Sequence, residues 1–274
     1  MGYLLIGPVT QDKNIIEGNE ILKVGGPVYY QSKVFSKLGI EHAAIITLSR
    51  EDKKLLDEFP QETMIIPLWG DNTLEFENRY FNHGKRMQRS NFAKNPITAK
   101  DIKPMIKYEW DGIILDPLVP TDIPIQTLEF IANQQDNIYL GLQGYLRRGK
   151  DGRVYLRPPE NIKGILGMVD KVFLDEEEAG IFKPDLVEAA MFLGSMGPSE
   201  TIITCGERGS IIYSNGRIWR IKAVPASRIL DPTGLGDVYM AAYIHMREKR
   251  PPGEAGEFAS WVATEKIEGK LLDS

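Results

Sequence analysis

"ILDPTGLGDVYMAAYIHMR", residues 229–247, runs from a β-like apolar stretch into an amphipathic helix through Gly234, Gly236 and Asp237. Glycines at such a junction leave backbone N–H groups bare and let another molecule approach closely. The helix N-terminus that follows concentrates partial positive charge. Together these features make an anion site out of peptide groups. Asp237 sits inside that site, where a carboxylate would ordinarily repel an anion. Phosphoryl transfer to an alcohol resolves the conflict, because it needs donors for the phosphate charge and a base for the hydroxyl proton. The N–H groups of Leu235, Gly236 and Asp237 fit the first need, and the Asp237 carboxylate fits the second.

Outward from this stretch, the chain is an alternation of short apolar runs and helical spacing. Buried-strand runs occur at Tyr3–Gly7, Ala43–Thr47, Gly112–Asp116, Ile138–Leu142, Lys171–Leu174, Thr201–Thr204 and Ser210–Tyr213. Helical spacing separates most of them, as at Val28–Leu38, Ile123–Gln134 and Pro184–Leu193. This rhythm predicts an α/β fold, a mostly parallel sheet covered by helices on both faces. Two stretches break it. "NIIEGNEILKVGG" (14–26) reads as a hairpin turning at Gly18–Asn19, and "TLEFENRYFNHGKRMQRS" (73–90) alternates around a turn at Asn82–Gly84. Alternation means strands with one wet face, so both are expected in a small separate β-sheet. That sheet would lie over one edge of a single domain spanning residues 1–274.

Composition narrows the chemistry. With 274 residues and 42% apolar side chains, the chain can bury a sizeable core. A formal charge of −5 argues against nucleic acid or an anionic membrane as partner. One cysteine, Cys205, permits no internal disulfide, and no run approaches the ~18 apolar residues of a membrane span. A cytoplasmic location is the expectation. His42, His83 and His245 are scattered, which disfavours a Cys/His metal centre. No G-x-x-x-x-G-K-[ST] and no G-x-S-x-G occurs. The pair Gly234 and Gly236 lacks the third glycine of a dinucleotide loop, that place being Tyr239.

"DPTGLGD" (231–237) is similar to the D-T-x-G-A-G-D signature of the ribokinase-like (PfkB) carbohydrate kinases, with Pro232 and Leu235 departing from its commonest residues. Five further stretches resemble that family in the family's own order. "IGPVTQD" matches the first strand and its loop, ending at Asp12. "VGGPVYYQSKVFSKLG" (24–39) matches the glycine pair Gly25–Gly26 and its helix. The two hairpins match a lid over the substrate. "FLDEEEAG" (173–180) resembles the N-x-x-E element, with Asp175 in the Asn place and Glu178 retained. "ITCGERGS" (203–210) resembles the T-x-G-x-x-G turn beside the nucleotide, with Thr204, Gly206 and Gly209.

The resemblance implies an ATP-dependent small-molecule kinase. Asp237 would be its base, and Gly234, Leu235 and Gly236 would form the anion hole. Asp12, Gly25 and Gly26 would meet the acceptor, and Asp231 would join the nucleotide residues. Asp175 and Glu178 would hold Mg2+ through water. "GGPVYY" and "LGLQGYLRRGKDG" (140–152) resemble archaeal myo-inositol kinase-like members, with Gly141 where an acid often lies. That adds Gln143 and Arg147 as acceptor-binding residues, Arg147 alternatively as a phosphate holder. The favoured acceptor is a polyol, myo-inositol ahead of a furanose sugar or nucleoside, and a homodimer through the lid is an open partner expectation. A reading from another class stands beside this one, a non-catalytic nucleotide or sugar sensor. An intact Asp237 favours the enzyme, since a sensor needs no base.

Overall fold

The computed structural model describes residues 2–16, 19–80 and 86–271. Its first strand, β1 (Tyr3–Pro8), is buried along its whole length. Successive side chains of a strand point to opposite faces, and β1 divides accordingly. Tyr3 and Leu5 enter one apolar cluster, Leu4 and Ile6 the other. The parallel neighbours β4 (His42–Ser49), β8 (Gly112–Leu115), β9 (Ile138–Gly141) and β12 (Lys171–Asp175) split their side chains the same way. This is why these runs read as continuously hydrophobic rather than alternating.

The sheet has nine strands in the order β15-β14-β13-β12-β9-β8-β1-β4-β5. Its remaining members are β5 (Met64–Gly70), β13 (Glu200–Thr204), β14 (Ser210–Ser214) and β15 (Arg217–Ile221). Only β14 and β15 run antiparallel to their neighbours, at one edge. The helices are α1 (Pro27–Lys37), α2 (Ala99–Ile106), α3 (Ile125–Ala132), α4 (Gln143–Leu146), α5 (Ile162–Leu166), α6 (Glu176–Gly180), α7 (Leu186–Gly194), α8 (Leu235–Arg247) and α9 (Pro252–Ile267). One apolar cluster lies beneath α1, α8 and α9, the other beneath α2, α3, α5 and α7. The predicted α/β class, with helices on both faces and a second small sheet, is the one observed.

The second sheet reaches beyond the stretches 14–26 and 73–90 expected for it. It has six strands, β10-β11-β7-β6-β2-β3. These are β2 (Thr10–Ile16), β3 (Asn19–Gly25), β6 (Leu74–Tyr80), β7 (Arg86–Ser90), β10 (Arg147–Lys150) and β11 (Arg153–Leu156). The pair β10–β11 lies outside both stretches, and Asp151 and Gly152 between its strands both take positive φ, 52° and 74°. That is the two-residue turn that suits a tight hairpin. The turns expected at Gly18–Asn19 and Asn82–Gly84, and with the second of them His83, lie wholly or partly outside the described residues. The Leu74, Phe76, Leu118 and Val119 side chains form a third apolar cluster that seats the small sheet on the loop after β8.

Candidate active site

Ligands of open α/β sheets bind outside the carboxyl ends of the strands. At this end of the molecule the chain leaves β1 for Asp12, β8 for Asp116, β9 for Gln143 and β12 for Asp175. The loop into α8 closes over the same end.

That loop is held by ions. Lys266, on α9, is almost fully buried and donates to the backbone carbonyls of Asp231, at 2.8 Å, and Thr233. The Asp231 carboxylate accepts from Thr233 N–H at 2.9 Å and from Lys23 Nζ, on β3, at 3.0 Å. Gly234 then takes left-handed geometry (φ 73°, ψ 13°), and a Cβ there would come within 2.3 Å of the Tyr30 ring. Only glycine meets both conditions. No side chain caps α8, and the N–H groups of Leu235, Gly236 and Asp237 have no acceptor among the described residues. A Cβ on Gly236 would meet nothing within 4 Å, so there is open space beside this helix start. Lys266 and Lys23 escaped the sequence reading, because an isolated lysine carries no local signal of what it will hold.

Asp237 stands in the first turn of α8. Burial pushes its carboxyl up to about 7; the Arg147 guanidinium opposes this, Asp12 adds to it, and Lys266 opposes it again. The group therefore sits where it can both take and release a proton near neutrality. The hydroxyl of Tyr30 is pushed up by burial and by the charges of Asp12, Asp231 and Asp237, which places Tyr30 among the three acids.

Asp12 is buried on β2, where Thr10 Oγ1 donates to its Oδ1 at 2.7 Å. The glycine pair also has a use inside the protein. A Cβ on Gly25 would come within 2.3 Å of Asp12 Oδ2, and one on Gly26 within 2.6 Å of the Pro8 carbonyl. The space at both is filled by the protein itself, so their missing side chains make room for Asp12 and its loop.

Gln143 begins α4, and Arg147 is the residue at which α4 passes into β10 of the small sheet. The Arg147 guanidinium lies 5.0 Å from the Phe76 ring centroid and donates to the Leu118 carbonyl at 3.4 Å. It draws down the carboxyl pKa of Asp122, Glu178 and Asp237, so one cation serves three acids. At Gly141, where an acid was looked for, a Cβ would meet Asp116 Oδ1 at 2.5 Å. The Asp116 carboxyl, just past the end of the adjacent β8, occupies the space a side chain there would take. Asp116 is buried beside Gln31; burial pushes it well above the usual carboxylate range, the charge of Asp237 adds to this, and Gln31 opposes it.

Asp175 and Glu178 cap α6 reciprocally. Glu178 N–H donates to Asp175 Oδ1 at 2.8 Å, and Asp175 N–H donates to Glu178 Oε2 at 3.0 Å. Burial first, then the charge of Asp175, push Glu178 up to about 8. Burial and the Asp175 charge make the ionised form of Glu178 costly, and each acid keeps one oxygen outside the cap, so a divalent cation would favour loss of the Glu178 proton. Among the described residues no three His, Cys, Asp or Glu side chains converge. A cation here would therefore rest on these two acids, with phosphate and water completing its shell. Beside them opens a cavity of about 540 Å³ lined by Asp175, Glu176, Glu177, Thr204 and Gly206. Gly209 belongs to the turn between β13 and β14, with φ 91° and a carbonyl accepting from Cys205 N–H at 2.8 Å. Cys205 is a small buried side chain with its thiol pushed up by burial.

A three-layered α/β/α body, a small sheet over its carboxyl end, and an uncapped helix start beside an acid fit the ribokinase-like class of fold. The pfkB family carbohydrate kinase profile matches residues 129–272, more than half of the chain, and the chain belongs to that family. The fold is shared with a pyrophosphate-dependent kinase of the ribokinase family, complexed with a pyrophosphate analog and myo-inositol. That likeness has a TM-score of 0.85 at 23% identity and covers 97% of this chain and 94% of the other. Arabidopsis thaliana ribokinase, complexed with ribose and ATP, is similar at a TM-score of 0.75 and 16% identity, over 100% and 99% of the two chains. A nucleoside kinase of Methanothermobacter thermautotrophicus is 34% identical over 124 residues. That stretch is 44% of this chain and 38% of the relative's length. Among the described residues no helix is long and apolar enough to cross a membrane.

Proposed function

We infer that this chain transfers a phosphoryl group from a phosphate donor to a hydroxyl of a small polyol. The observation that carries the reading is the uncapped start of α8, three N–H groups with no acceptor among the described residues, open space beside Gly236, and the carboxyl of Asp237 in the same turn. An Asp237 oxygen takes the proton of the acceptor hydroxyl. The acceptor oxygen bonds to phosphorus as the bond from phosphorus to the leaving phosphate breaks. The N–H groups of Leu235, Gly236 and Asp237 receive the charge that develops. Asp12, Gln143 and Arg147 orient the acceptor, and Asp175 with Glu178 are placed to hold Mg2+. A bound divalent cation would supply neutralising charge to the donor's phosphates.

Myo-inositol is the favoured acceptor, supported by the Gln143–Arg147 stretch and by the myo-inositol of the pyrophosphate-dependent structural relative. A furanose sugar or nucleoside is the alternative, supported by the nucleoside kinase match. For the donor, ATP follows from the family resemblance, with Thr204, Gly206, Gly209 and Asp231 as nucleotide residues. One observation favours a second reading, pyrophosphate. The cavity beside Asp175 is lined by three acids, Thr204 and Gly206, with no aromatic or aliphatic side chain to stack a base. The loop before Asp231 is also drawn onto α9, through Val224 N–H to Ser260 Oγ (3.1 Å), Thr264 Oγ1 to the Val224 carbonyl (2.9 Å) and Leu230 N–H to the Ile267 carbonyl (2.9 Å).

Phosphorus NMR of mixtures pairing ATP or pyrophosphate with myo-inositol, ribose or a nucleoside tests the reading. A phosphomonoester product in one pairing, lost in Asp237→Asn, is expected. Donor binding with no product in any pairing would favour the sensor.

A further inference from the structure

A buried lysine stands behind the loop that leads into α8. Lys266, on α9, is 3% exposed, and its ammonium donates to the carbonyls of Asp231, at 2.8 Å, and Thr233. The same ammonium lies 3.8 Å from the Asp231 carboxylate and 5.3 Å from the centroid of the Tyr30 ring. Tyr30 in turn fills the space beside Gly234, where a Cβ would come within 2.3 Å of its ring. Ammonium, ring and loop form one packed unit at the start of α8. Tying the loop to α9 does not call for a charge. Neutral groups already do it, through Val224 N–H to Ser260 Oγ, Thr264 Oγ1 to the Val224 carbonyl, and Leu230 N–H to the Ile267 carbonyl. An ammonium taken out of water is costly unless it is paired. Burial lowers the pKa of Lys266, the Asp231 carboxylate opposes this, Lys23 adds to it, and Asp237 opposes it again.

A charge in this place does two things that a neutral tie does not. In a planar trans peptide the C=O and the N–H point to opposite sides. Holding the Thr233 carbonyl against Lys266 therefore turns the N–H of Gly234 away from α9. That N–H has no acceptor among the described residues, like those of Leu235, Gly236 and Asp237 that follow it. The second effect is on the base. Asp237 feels Arg147 from the junction of α4 and β10, Asp12 from β2 and Lys266 from α9. Tyr30 on α1, Asp116 at the end of β8 and Glu178 on α6 feel the charge of Asp237 in return. Two of these groups are cations, and Arg147 is shared with Asp122 and Glu178. Lys266 is the cation bonded to the same loop that carries the base.

We propose that Lys266 is a positioning residue for phosphoryl transfer: its ammonium turns the loop's N–H groups toward the phosphate, and its charge stabilises the ionised form of the Asp237 base. The proposal rests on the kinase reading above. Lys266 touches no substrate and acts through the loop from Asp231 to Asp237, thirty residues away in the chain.

Three variants of the full-length protein test it. Lys266→Met keeps the bulk against Tyr30 and removes both bonds and the charge. Lys266→Gln keeps N–H donors and removes the charge. Thr264→Val removes a neutral tie between α9 and the same loop. Each is compared with wild type for kcat, the pH profile of kcat/KM, pyrophosphate binding by calorimetry, and thermal midpoint. Lys266→Met should lower kcat about tenfold or more for each acceptor that wild type phosphorylates. It should also move the acid limb of the profile to higher pH, because the carboxylate loses a neighbouring cation. Lys266→Gln should regain part of kcat with the limb still displaced. Thr264→Val should lower the thermal midpoint and leave the limb in place. A folded Lys266→Met with wild-type kcat, or with kcat lowered and the limb unmoved, would reduce Lys266 to a structural tie and overturn the proposal. If Lys266→Met does not fold, Lys266→Gln decides: a displaced limb upholds the proposal and an unmoved one overturns it. If wild type phosphorylates nothing, the kinase reading fails first. Pyrophosphate binding and a carbon-13 NMR titration of the Asp237 carboxyl then decide the hold of Lys266 on the loop. Weaker binding with the titration moved to higher pH in the folded variant upholds it, and any other result overturns it.

Discussion

The two sides of the cleft are built from different material. On the α8 side the donors are peptide N–H groups, aimed by a loop whose carbonyls Lys266 grips and whose carboxylate folds back on Thr233. On the lid side the polar atoms belong to side chains, Asp12 and the amides Asn14, Asn78 and Gln88. Backbone donors cannot be exchanged by substitution and suit the phosphate, which is the same for every acceptor. Side chains can be exchanged one at a time and suit a partner that varies. On the proposed function, the difference separates reaction from choice. Damage on the α8 side should lower kcat for all acceptors, whereas damage under the lid should raise KM for some.

The largest expected effect is at Asp237. Asp237→Asn keeps the shape and removes proton acceptance, so kcat should fall ~10²–10⁴-fold with donor affinity little changed. Steady-state kinetics with each acceptor checks this, and retention of more than about a tenth of wild-type kcat would remove Asp237 from the role. Next comes Gly236→Val, which puts a branched side chain where now nothing lies within 4 Å. The protein should fold normally and lose roughly 2.7–4 kcal/mol of transition-state binding, the worth of one aligned oxyanion donor. Normal turnover by a folded variant would show that phosphate binds elsewhere. Under the lid the expectation is smaller and selective. Asp12→Ala should cost about 1.5–3 kcal/mol, read as acceptor KM, with the donor KM unmoved. Equal losses for donor and acceptor would blur the separation.

The smallest effect is on stability. Glu178 is pushed up to about 8 from an ordinary 4.5. Between those values the folded protein keeps a proton that the unfolded chain gives up, so rising pH weakens folding through that window. Glu178→Gln removes the titration. Its thermal midpoint should gain on wild type as pH rises from about 5 to about 9, and magnesium should narrow the gap by neutralising the wild-type carboxylate. Parallel melting curves with no pH-dependent gap would mean that burial does not raise Glu178.

How much of this was legible follows the same division. The α8 junction is written in seven consecutive residues, Asp231–Asp237, because its geometry is local: a glycine at positive φ, a helix start, an acid in the first turn. The parallel strands were legible because burial on both faces leaves an unbroken apolar run, as in "YLLIG". Long-range pairings were not. Asn14, Asn78 and Gln88 each look like an ordinary polar strand residue until the register sets them side by side. Lys266 looks like a surface lysine of a C-terminal helix until its ammonium is found on two loop carbonyls. Gly141 looked like a lost acid, and only the fold sets the Asp116 carboxyl, just past the end of the adjacent β8, in the space a side chain there would take. The pair β10–β11 was hidden by its charges, although its Asp151–Gly152 turn was in plain view.

The claim that Asp237 is a base poised beside a backbone anion site is tested most directly by the pH dependence of kcat/KM. A base must be ionised to act, so a carboxyl raised to about 7 should give a rate that climbs with pH and levels off above neutrality. The account predicts that acid limb in the wild-type protein, with a midpoint near 7, and its disappearance from the residual activity of Asp237→Asn. A wild-type profile flat from about pH 5 to about 8, or the same limb persisting in Asp237→Asn, would contradict it.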